Sequence, residues 1–464
     1  EHTWGAYNSI SKPDHPFAKS QWVWKRNYAI QAYNQVIEGL NNATPNKLLN
    51  TNYQDCLDNI SIEATGTMIS IVNTHNYKTT QPVEVVTSHN TVLWNGEVVT
   101  SQKLGQKLLF IAENVQPYES RILTLQTRKT ELEEVHHAIE FNRDGELTSY
   151  TYNDVELLQP EQRLNDYIFK VGKWGSRNKK VPTEAVVELL FDGPLVTVYK
   201  VTKQAYKANS LISTYTFHHT DKSICIENII DRPISRKKEG IYFAFPFSIP
   251  NGTVTYDTQY GVVELEKDQI PGSNKNFITA NRYVDISNKN YGVTVVLFDA
   301  PIFKAGVIDK DPIRVGNPNI CGWKKASSYT GSVYSYVMNN YWMTNYKADQ
   351  PGTTVFRYLI KPHLQISTEK TYRYVESRVQ PLLVFDTEVY ITPIVDYDND
   401  AAITTIRKRL EDTVEIRLYN PTSSTQNISL KGVVEVVSPN KNKLLENNQI
   451  QLDSHEVLTI KKKV

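Results

Sequence analysis

Residues 185–201 of this chain are Ala-Val-Val-Glu-Leu-Leu-Phe-Asp-Gly-Pro-Leu-Val-Thr-Val-Tyr-Lys-Val. β-branched and aromatic side chains dominate this stretch, and such residues favour the pleated, half-buried surface of a sheet. Similar strand-like runs follow at residues 224–230 and 293–298, with few helical windows between them. So many strands over residues 129–380 predict one large two-sheet sandwich rather than several small units.

Two smaller groups of strand-like segments flank this region. Residues 51–128 predict a small β-sandwich, in which Asn95-Gly96 forms the turn of a hairpin because both positions accept the positive φ of a tight turn. Residues 381–464 predict a C-terminal β-sandwich from the strand-like runs that it contains.

Residues 20–41 form the only convincing helical segment, within an N-terminal unit of residues 1–50. Its apolar side chains recur at spacings of seven, four, three and four, which is one face of a helix: Trp22, Ala29, Tyr33, Val36 and Leu40. An apolar stripe of this kind needs a partner, which we expect in a part of the protein upstream of this chain. The predicted fold class is therefore mainly β with a short N-terminal helical segment.

Composition excludes several classes of function. The 464 residues include 51 basic and 50 acidic side chains, so the net charge of +1 predicts neither a nucleic-acid nor a membrane-surface partner. No apolar run approaches the length of a membrane span. Cys56, Cys225 and Cys321 are odd in number and far apart, which argues against a disulfide framework or a cysteine zinc site.

The chain begins with Glu1-His2-Thr3-Trp4-Gly5-Ala6, so several side chains that are common in functional sites lie together at its start. We interpret the chain as part of a longer protein. An exposed aromatic ring such as that of Trp4 is a candidate for stacking on a sugar.

Several segments together resemble the C-terminal half of glycoside hydrolase family 38, the α-mannosidases. No segment is specific alone, but their order and spacing are hard to obtain by chance. The segments that carry the resemblance are Val72-Asn73, Val83-Glu84-Val85, residues 96–102, 108–112, 115–121 and 141–149, Asp192-Gly193-Pro194-Leu195, residues 242–247, 260–264 and 281–287, Tyr291-Gly292-Val293 and residues 356–363.

The resemblance implies a layout in which a catalytic α/β barrel and a three-helix middle domain precede the sandwiches. The first 50 residues would then be a remnant of the middle domain, and residues 129–380 a supersandwich similar to galactose mutarotase. The family uses a retaining mechanism with an Asp nucleophile and a zinc ion that binds the terminal mannose. His2 occupies the place of one zinc-ligand histidine, although the family's His-His-Asp form is not kept. Glu1 would be its carboxylate neighbour or an acid/base, and the other ligands would belong to the barrel.

We therefore expect this chain to be catalytically inactive on its own, with no catalytic residue and no tightly bound cofactor. Zinc would bind only in the full-length parent. The expected partners are a glycan substrate and the parent's own N-terminal catalytic domain, and the expected location is the periplasm or exterior of a bacterium.

Two other functions stay open. The sandwiches could form a carbohydrate-binding module without hydrolysis, for which an aromatic platform in a cleft would be the evidence. The large sandwich could also be a mutarotase-like or lyase-like enzyme, which requires a histidine and a carboxylate that converge. His363 is one candidate, but the pairs His136-His137 and His218-His219 cannot converge on one ion, because neighbouring strand residues point to opposite faces.

Overall fold

The computed structural model describes residues 12–43, 49, 63–128, 139–172, 177–179, 184–308, 323–327, 331–341, 347, 349–391, 402–410, 412–429, 434–437 and 449–463. Over these residues the protein is mostly β, with two helices, α1 (Pro16–Ala43) and α2 (Thr368–Val379). The predicted fold class is confirmed.

The small sandwich consists of a five-stranded and a three-stranded sheet. Its core lies between them and includes Val92, Phe110 and Leu123, each almost fully buried. Asn95 and Gly96 have positive φ angles of 53° and 85°, so the predicted hairpin turn is confirmed. The strands are β1 (Met68–Val72), β2 (Thr79–Val86), β3 (Thr91–Trp94), β4 (Glu97–Val99), β5 (Ser101–Leu104), β6 (Lys107–Val115) and β7 (Ser120–Gln126).

The fifth strand of the larger of these two sheets, β25 (Leu383–Phe385), comes from far along the chain. The sheet order is β25-β1-β7-β3-β4, and Ser70 of β1 lies opposite Phe385. Asp386 also accepts hydrogen bonds from Thr65. The chain therefore returns to the small sandwich after the supersandwich is complete. The domain boundaries proposed from the sequence stay a prediction.

The supersandwich packs a nine-stranded sheet on a six-stranded sheet. Tyr358 of the first sheet contacts Phe243 and Phe245 of the second, with ring centroids 6.1 and 4.9 Å apart. These aromatic pairs lie inside one continuous buried core. Such rings bury large apolar areas and prefer tilted contacts of this kind.

The nine-stranded sheet has the order β12-β13-β14-β15-β24-β21-β20-β17-β18. In chain order its strands are β12 (Val186–Asp192), β13 (Val196–Lys203), β14 (Ser210–His218), β15 (Ile224–Arg232), β17 (Thr253–Thr258), β18 (Gly261–Glu264), β20 (Tyr283–Ser287), β21 (Tyr291–Leu297) and β24 (Gly352–Leu364). The stretch quoted first thus forms two neighbouring strands, with β12 at the sheet edge.

The six-stranded sheet has the order β11-β10-β16-β23-β22-β19. In chain order its strands are β10 (Tyr167–Val171), β11 (Arg177–Lys179), β16 (Glu239–Pro246), β19 (Ile278–Thr279), β22 (Ile302–Ala305) and β23 (Ser332–Asn339). A short hairpin, β8 (Thr151–Tyr152) and β9 (Val155–Glu156), precedes it.

The C-terminal sandwich has a separate core in which Ile416, Leu418, Ile450 and Ile460 are fully buried. A four-stranded sheet, β26-β27-β31-β29, lies beside the pair β28-β30. The strands are β26 (Ala402–Leu410), β27 (Thr413–Tyr419), β28 (Gln426–Ser429), β29 (Val434–Val436), β30 (Gln449–Leu452) and β31 (Val457–Lys463).

The predicted helix at residues 20–41 is observed as α1, which is longer by a few residues at each end. Its apolar stripe is largely exposed, with Tyr33 39% and Val36 61% exposed. Among the described residues, nothing therefore covers this face completely.

The sequence analysis failed to predict α2, and the expectation of a single helix was wrong. Ser367 caps the helix by accepting a hydrogen bond from the backbone N–H of Lys370, and Glu369 complements the positive end of the helix dipole. Among the side chains that α2 buries are Tyr372 and Val375. Because mostly polar residues surround these positions, the apolar stripe is narrow and the helical period is weak in the sequence.

Helix α2 joins the three β units. Val375 packs on the nine-stranded sheet, and full burial of such a side chain contributes about 1.5–3 kcal/mol. Tyr372 contacts Tyr419 of the C-terminal sandwich at a centroid distance of 5.6 Å. The Arg373 guanidinium lies 5.2 Å from the Tyr77 ring of the small sandwich. One helix thus fixes the positions of the three sandwiches relative to one another.

Candidate functional site

The residues predicted to form the site, Glu1, His2 and Trp4, lie outside the described residues. The described residues begin at Lys12, and Asp14 lies just before α1. Its carboxylate accepts hydrogen bonds of 2.6 and 2.9 Å from Arg236, whose Nε lies 2.8 Å from Asp349 Oδ2. Arg236 belongs to the loop between β15 and β16. The start of α1 is therefore fixed to the edge of the supersandwich.

The electrostatics of this anchor support its role as a fixed point. The hydrogen bond from Arg236 lowers the pKa of Asp14 below its ordinary value. Asp349 is buried and also lies 3.3 Å from the Lys347 ammonium. Sequence analysis did not identify this triad, because its members are far apart in the chain and only the fold brings them together.

We expect Arg236→Gln to free the start of α1 without unfolding the sandwiches. The exposed pair with Asp14 contributes little to global stability, and Asp349 retains Lys347 as a partner. Hydrogen–deuterium exchange should therefore speed up in residues 14–19, while the unfolding midpoint stays nearly constant. Arg143→Gln removes another exposed ion pair, with Glu184, and serves as the control. Unchanged exchange in residues 14–19 would contradict the anchor.

The outer face of the six-stranded sheet carries an unusual buried layer. Tyr336 stacks between Tyr242 and Phe277, with centroid distances of 4.3 and 4.7 Å and interplanar angles of 8° and 13°. Lys170 and Lys304 are buried beside these rings, 5% and 2% exposed. The Lys304 ammonium is 5.7 Å from the Phe277 centroid, within the range of a cation–π interaction. This face is a second apolar and cationic layer outside the main core.

The outer face of the nine-stranded sheet holds charged groups that α2 covers. Arg282 binds Asp257 through Nε at 2.8 Å and also contacts Glu376 of α2. Its guanidinium lies 4.7 Å from the Tyr372 centroid. These contacts replace the pair with Asp285 that proximity in sequence suggests.

Asp285 binds His363 instead. His363 Nε2 lies 2.8 Å from Asp285 Oδ2, and Nδ1 lies 2.7 Å from the Leu364 carbonyl oxygen. Both acceptors favour a protonated imidazole. Burial alone lowers the pKa of His363, but the hydrogen bond and charge of Asp285 outweigh burial and raise it. This buried pair holds β20, β21 and β24 together, because Thr294 also donates to Asp285.

Cys225 and the adjacent histidines do not form a reactive centre. Cys225 Sγ lies 3.5 Å from His218 Nε2. Burial raises the pKa of the thiol to about 12 and lowers that of His218 to about 4, so both groups are neutral at pH 7 and the thiolate nucleophile is not formed. His219 instead contacts Thr197 at 2.9 Å. His136 and His137 lie outside the described residues.

A zinc site does not fit the described part of the chain. No three side chains of His, Cys, Asp and Glu come close enough there to hold a metal ion, whereas a zinc site normally uses three or four protein ligands. Among the same residues, no helix is long and apolar enough to cross a membrane.

The fold is a multi-sandwich β protein built around a supersandwich. Residues 132–299 match the family described as glycosyl hydrolases family 38 C-terminal domain. The match covers part of the large sandwich, and it confirms the resemblance to family 38 inferred from the sequence.

Two solved structures are similar to this chain in fold. The chain is similar in fold to an α-mannosidase from Enterococcus faecalis V583, with a TM-score of 0.58 and 12% identity over 88% of this chain and 58% of that protein. A glycosyl hydrolase family 38 protein from Enterococcus faecalis gives a TM-score of 0.57 and 12% identity, over 88% and 60%. This chain thus spans less than two thirds of either protein. No curated protein matches the sequence.

Proposed function

We propose that this chain forms the C-terminal, non-catalytic β region of an α-mannosidase-like glycoside hydrolase. The observation that carries the proposal is the family 38 match inside the supersandwich, together with a fold likeness over 88% of the chain. In the full-length parent, a preceding catalytic domain would hydrolyse α-mannosides by a retaining mechanism with two carboxylates.

The sandwiches would act as a rigid support in this enzyme. The packing of α2 against all three β units supports that role, because it keeps the sandwiches in one arrangement. The anchor of Asp14 on Arg236 supports a position for the N-terminal segment at the supersandwich edge. From there His2, Glu1 and Trp4 would contribute to the sugar cleft as zinc ligand, carboxylate neighbour and stacking ring. Zinc would act as a Lewis acid in the parent, but its other ligands would come from the catalytic domain.

Two groups of the described residues resemble catalytic pairs but are buried, so they are not open to a sugar. Glycoside hydrolysis needs a pair of carboxyl groups that flank an open sugar site. Asp257 and Glu376 are instead neutralised by Arg282 under α2. The mutarotase-like alternative needs a histidine and a carboxylate open to a sugar, whereas the pair of His363 and Asp285 is buried, 6% and 5% exposed.

The test compares this chain with the full-length product of its gene. We expect 4-nitrophenyl α-mannoside to be hydrolysed only by the full-length protein, and a chelator to abolish that activity until zinc is restored. His2→Ala should then weaken zinc retention, measured by metal analysis. Hydrolysis by this chain alone would refute the non-catalytic role, and an inactive full-length protein would refute the assigned substrate.

A further inference from the structure

A cavity of about 430 Å³ opens where the small sandwich meets the supersandwich. Ile71, Phe110 and Leu123, which belong to the small-sandwich core, form its floor. Leu195 and Thr220 of the supersandwich form part of its wall. The volume lies within the roughly 300–1,000 Å³ of typical small-molecule sites.

The cavity exists because strand β5 is short. In the three-stranded sheet β2-β6-β5, Ser101 at the start of β5 pairs with Phe110, and β6 continues to Val115. Beyond Phe110, this edge of β6 has no further strand of that sheet beside it among the described residues. The two sheets therefore leave a gap at this end, which we call the sandwich pocket.

Trp94 stands at the rim of the sandwich pocket with 39% of its surface exposed. The Arg121 guanidinium lies 3.9 Å from its ring centroid. Arg121 is itself fixed, because it donates to the Glu113 carbonyl oxygen and to the Glu119 carboxylate, both at 2.9 Å. The tryptophan ring is thus held in place by a residue whose charge is already neutralised.

Two carboxylates complete the polar part of the rim. Glu97 lies directly opposite Trp94 in the β3–β4 hairpin, and Glu113 lies on the open edge of β6. Both side chains are exposed. With Arg121 paired to Glu119, the rim has excess negative charge, which disfavours an anionic ligand and favours groups that donate hydrogen bonds.

A flat aromatic ring beside carboxylate acceptors suits a pyranose. One face of such a sugar consists of C–H groups, which pack on an aromatic ring, and its hydroxyls donate to carboxylates. We propose that the sandwich pocket binds a neutral pyranoside, with Trp94 stacking on the sugar and Glu97 and Glu113 accepting its hydroxyl hydrogen bonds. The geometry supports a pyranose, whereas the choice of mannose rests on the proposed function.

Binding is measured by saturation-transfer NMR and calorimetry with methyl α-mannoside on this chain. We expect millimolar binding, which Trp94→Ala weakens by about tenfold or more because stacking is lost. Trp24→Ala removes a tryptophan that is 63% exposed on α1 and should leave binding unchanged. Glu97→Gln and Glu113→Gln should each weaken binding by about fivefold, since a charged acceptor becomes neutral.

Val98→Arg is a second way to test the site. Val98 lines the sandwich pocket and is 56% exposed, so the substitution blocks the mouth without disturbing the core. We expect it to abolish binding even if Trp94→Ala does not fold.

The outcomes separate the two proposals. Wild-type binding of methyl α-glucoside or α-galactoside in preference to the mannoside would keep the pyranose site and contradict only the choice of mannose for it. Absence of sugar binding, or binding unchanged by both Trp94→Ala and Val98→Arg, would overturn the site and leave the proposed function intact. Equal competition by cyclohexanol, with no effect of the glutamate substitutions, would also overturn it.

Discussion

Asp221→Asn should loosen α2 and destabilise the nine-stranded sheet beneath it by about 1.5–3 kcal/mol, the usual contribution of a hydrogen bond to a charged group. Asp221 Oδ2 lies 3.1 Å from Arg378 of α2 and 3.7 Å from the Lys361 ammonium. It also accepts a hydrogen bond from the Tyr374 hydroxyl at 3.0 Å. The asparagine has the same shape but leaves both cations, 12% and 17% exposed, without this charge.

Hydrogen–deuterium exchange of residues 368–379, together with urea unfolding, measures the effect. Exchange in α2 should increase strongly, and the urea midpoint of the supersandwich should fall. Asp412→Asn is the control, because its pair with Lys463 is exposed on both sides, 56% and 72%, and such pairs contribute little. Equal effects of the two substitutions would show that the Asp221 cluster does not stabilise the helix.

The same cluster predicts a pH dependence. Burial alone raises the pKa of Asp221, but Arg378 and Lys361 outweigh burial and hold the pKa well below its ordinary value. The unfolded chain therefore binds a proton at higher pH than the folded protein does. The stabilisation is complete above the ordinary aspartate pKa of about 3.9 and is lost as the pH falls below it. The stability difference between wild type and Asp221→Asn should thus shrink between about pH 5 and pH 2.

The strands were predictable because their information is local. The β-branched runs of residues 185–191 and 195–201 form strands β12 and β13, and Asn95-Gly96 forms the turn of the β3–β4 hairpin. Sheet order was not predictable in the same way. The pairing of β1 with β25 joins segments more than 300 positions apart, and no local pattern encodes such a contact.

The charged pairs show why site geometry needed the fold. Arg282 and Asp285 are close in sequence, but Arg282 lies just before β20, whereas Asp285 lies inside that strand. Arg282 therefore binds Asp257 on the adjacent strand β17, and Asp285 binds His363 on β24. The roles of His2, Glu1 and Trp4 stay predictions, because they lie outside the described residues. The sequence identified Trp94 only as a hairpin residue, because the pocket beside it exists only where β5 starts late, opposite Phe110.

The contacts between the sandwiches hold the small sandwich and the supersandwich in a fixed arrangement. Gln102 of the small sandwich is 4% exposed and accepts hydrogen bonds from the backbone N–H groups of Leu195 and Val196 at 3.0 and 2.9 Å. It also donates to the Val196 carbonyl oxygen at 2.8 Å. These backbone contacts, together with α2, fix the position of the sandwich pocket relative to the supersandwich.

Gly331→Ala should destabilise the supersandwich by about 2–5 kcal/mol, the sum of a left-handed backbone penalty and an overpacked contact. Gly331 has a φ of 86° and lies directly before β23, a central strand of the six-stranded sheet. A β-carbon at this position would overlap the Phe247 carbonyl oxygen, a backbone atom that cannot rotate away. Its own carbonyl oxygen also accepts a hydrogen bond from the Phe247 N–H at 3.1 Å, so a shift of the chain would break that bond.

Gly272→Ala separates the two parts of this cost. Gly272 has a similar φ of 78°, but a β-carbon there meets nothing within 4 Å. Its substitution should therefore cost only the backbone penalty of about 1–2 kcal/mol. Urea unfolding followed by fluorescence, with hydrogen exchange of residues 332–339 as the local probe, measures both variants. Equal destabilisation would mean that the Phe247 backbone can move without an energetic cost. The rigid contact inferred between Gly331 and Phe247 would then be wrong.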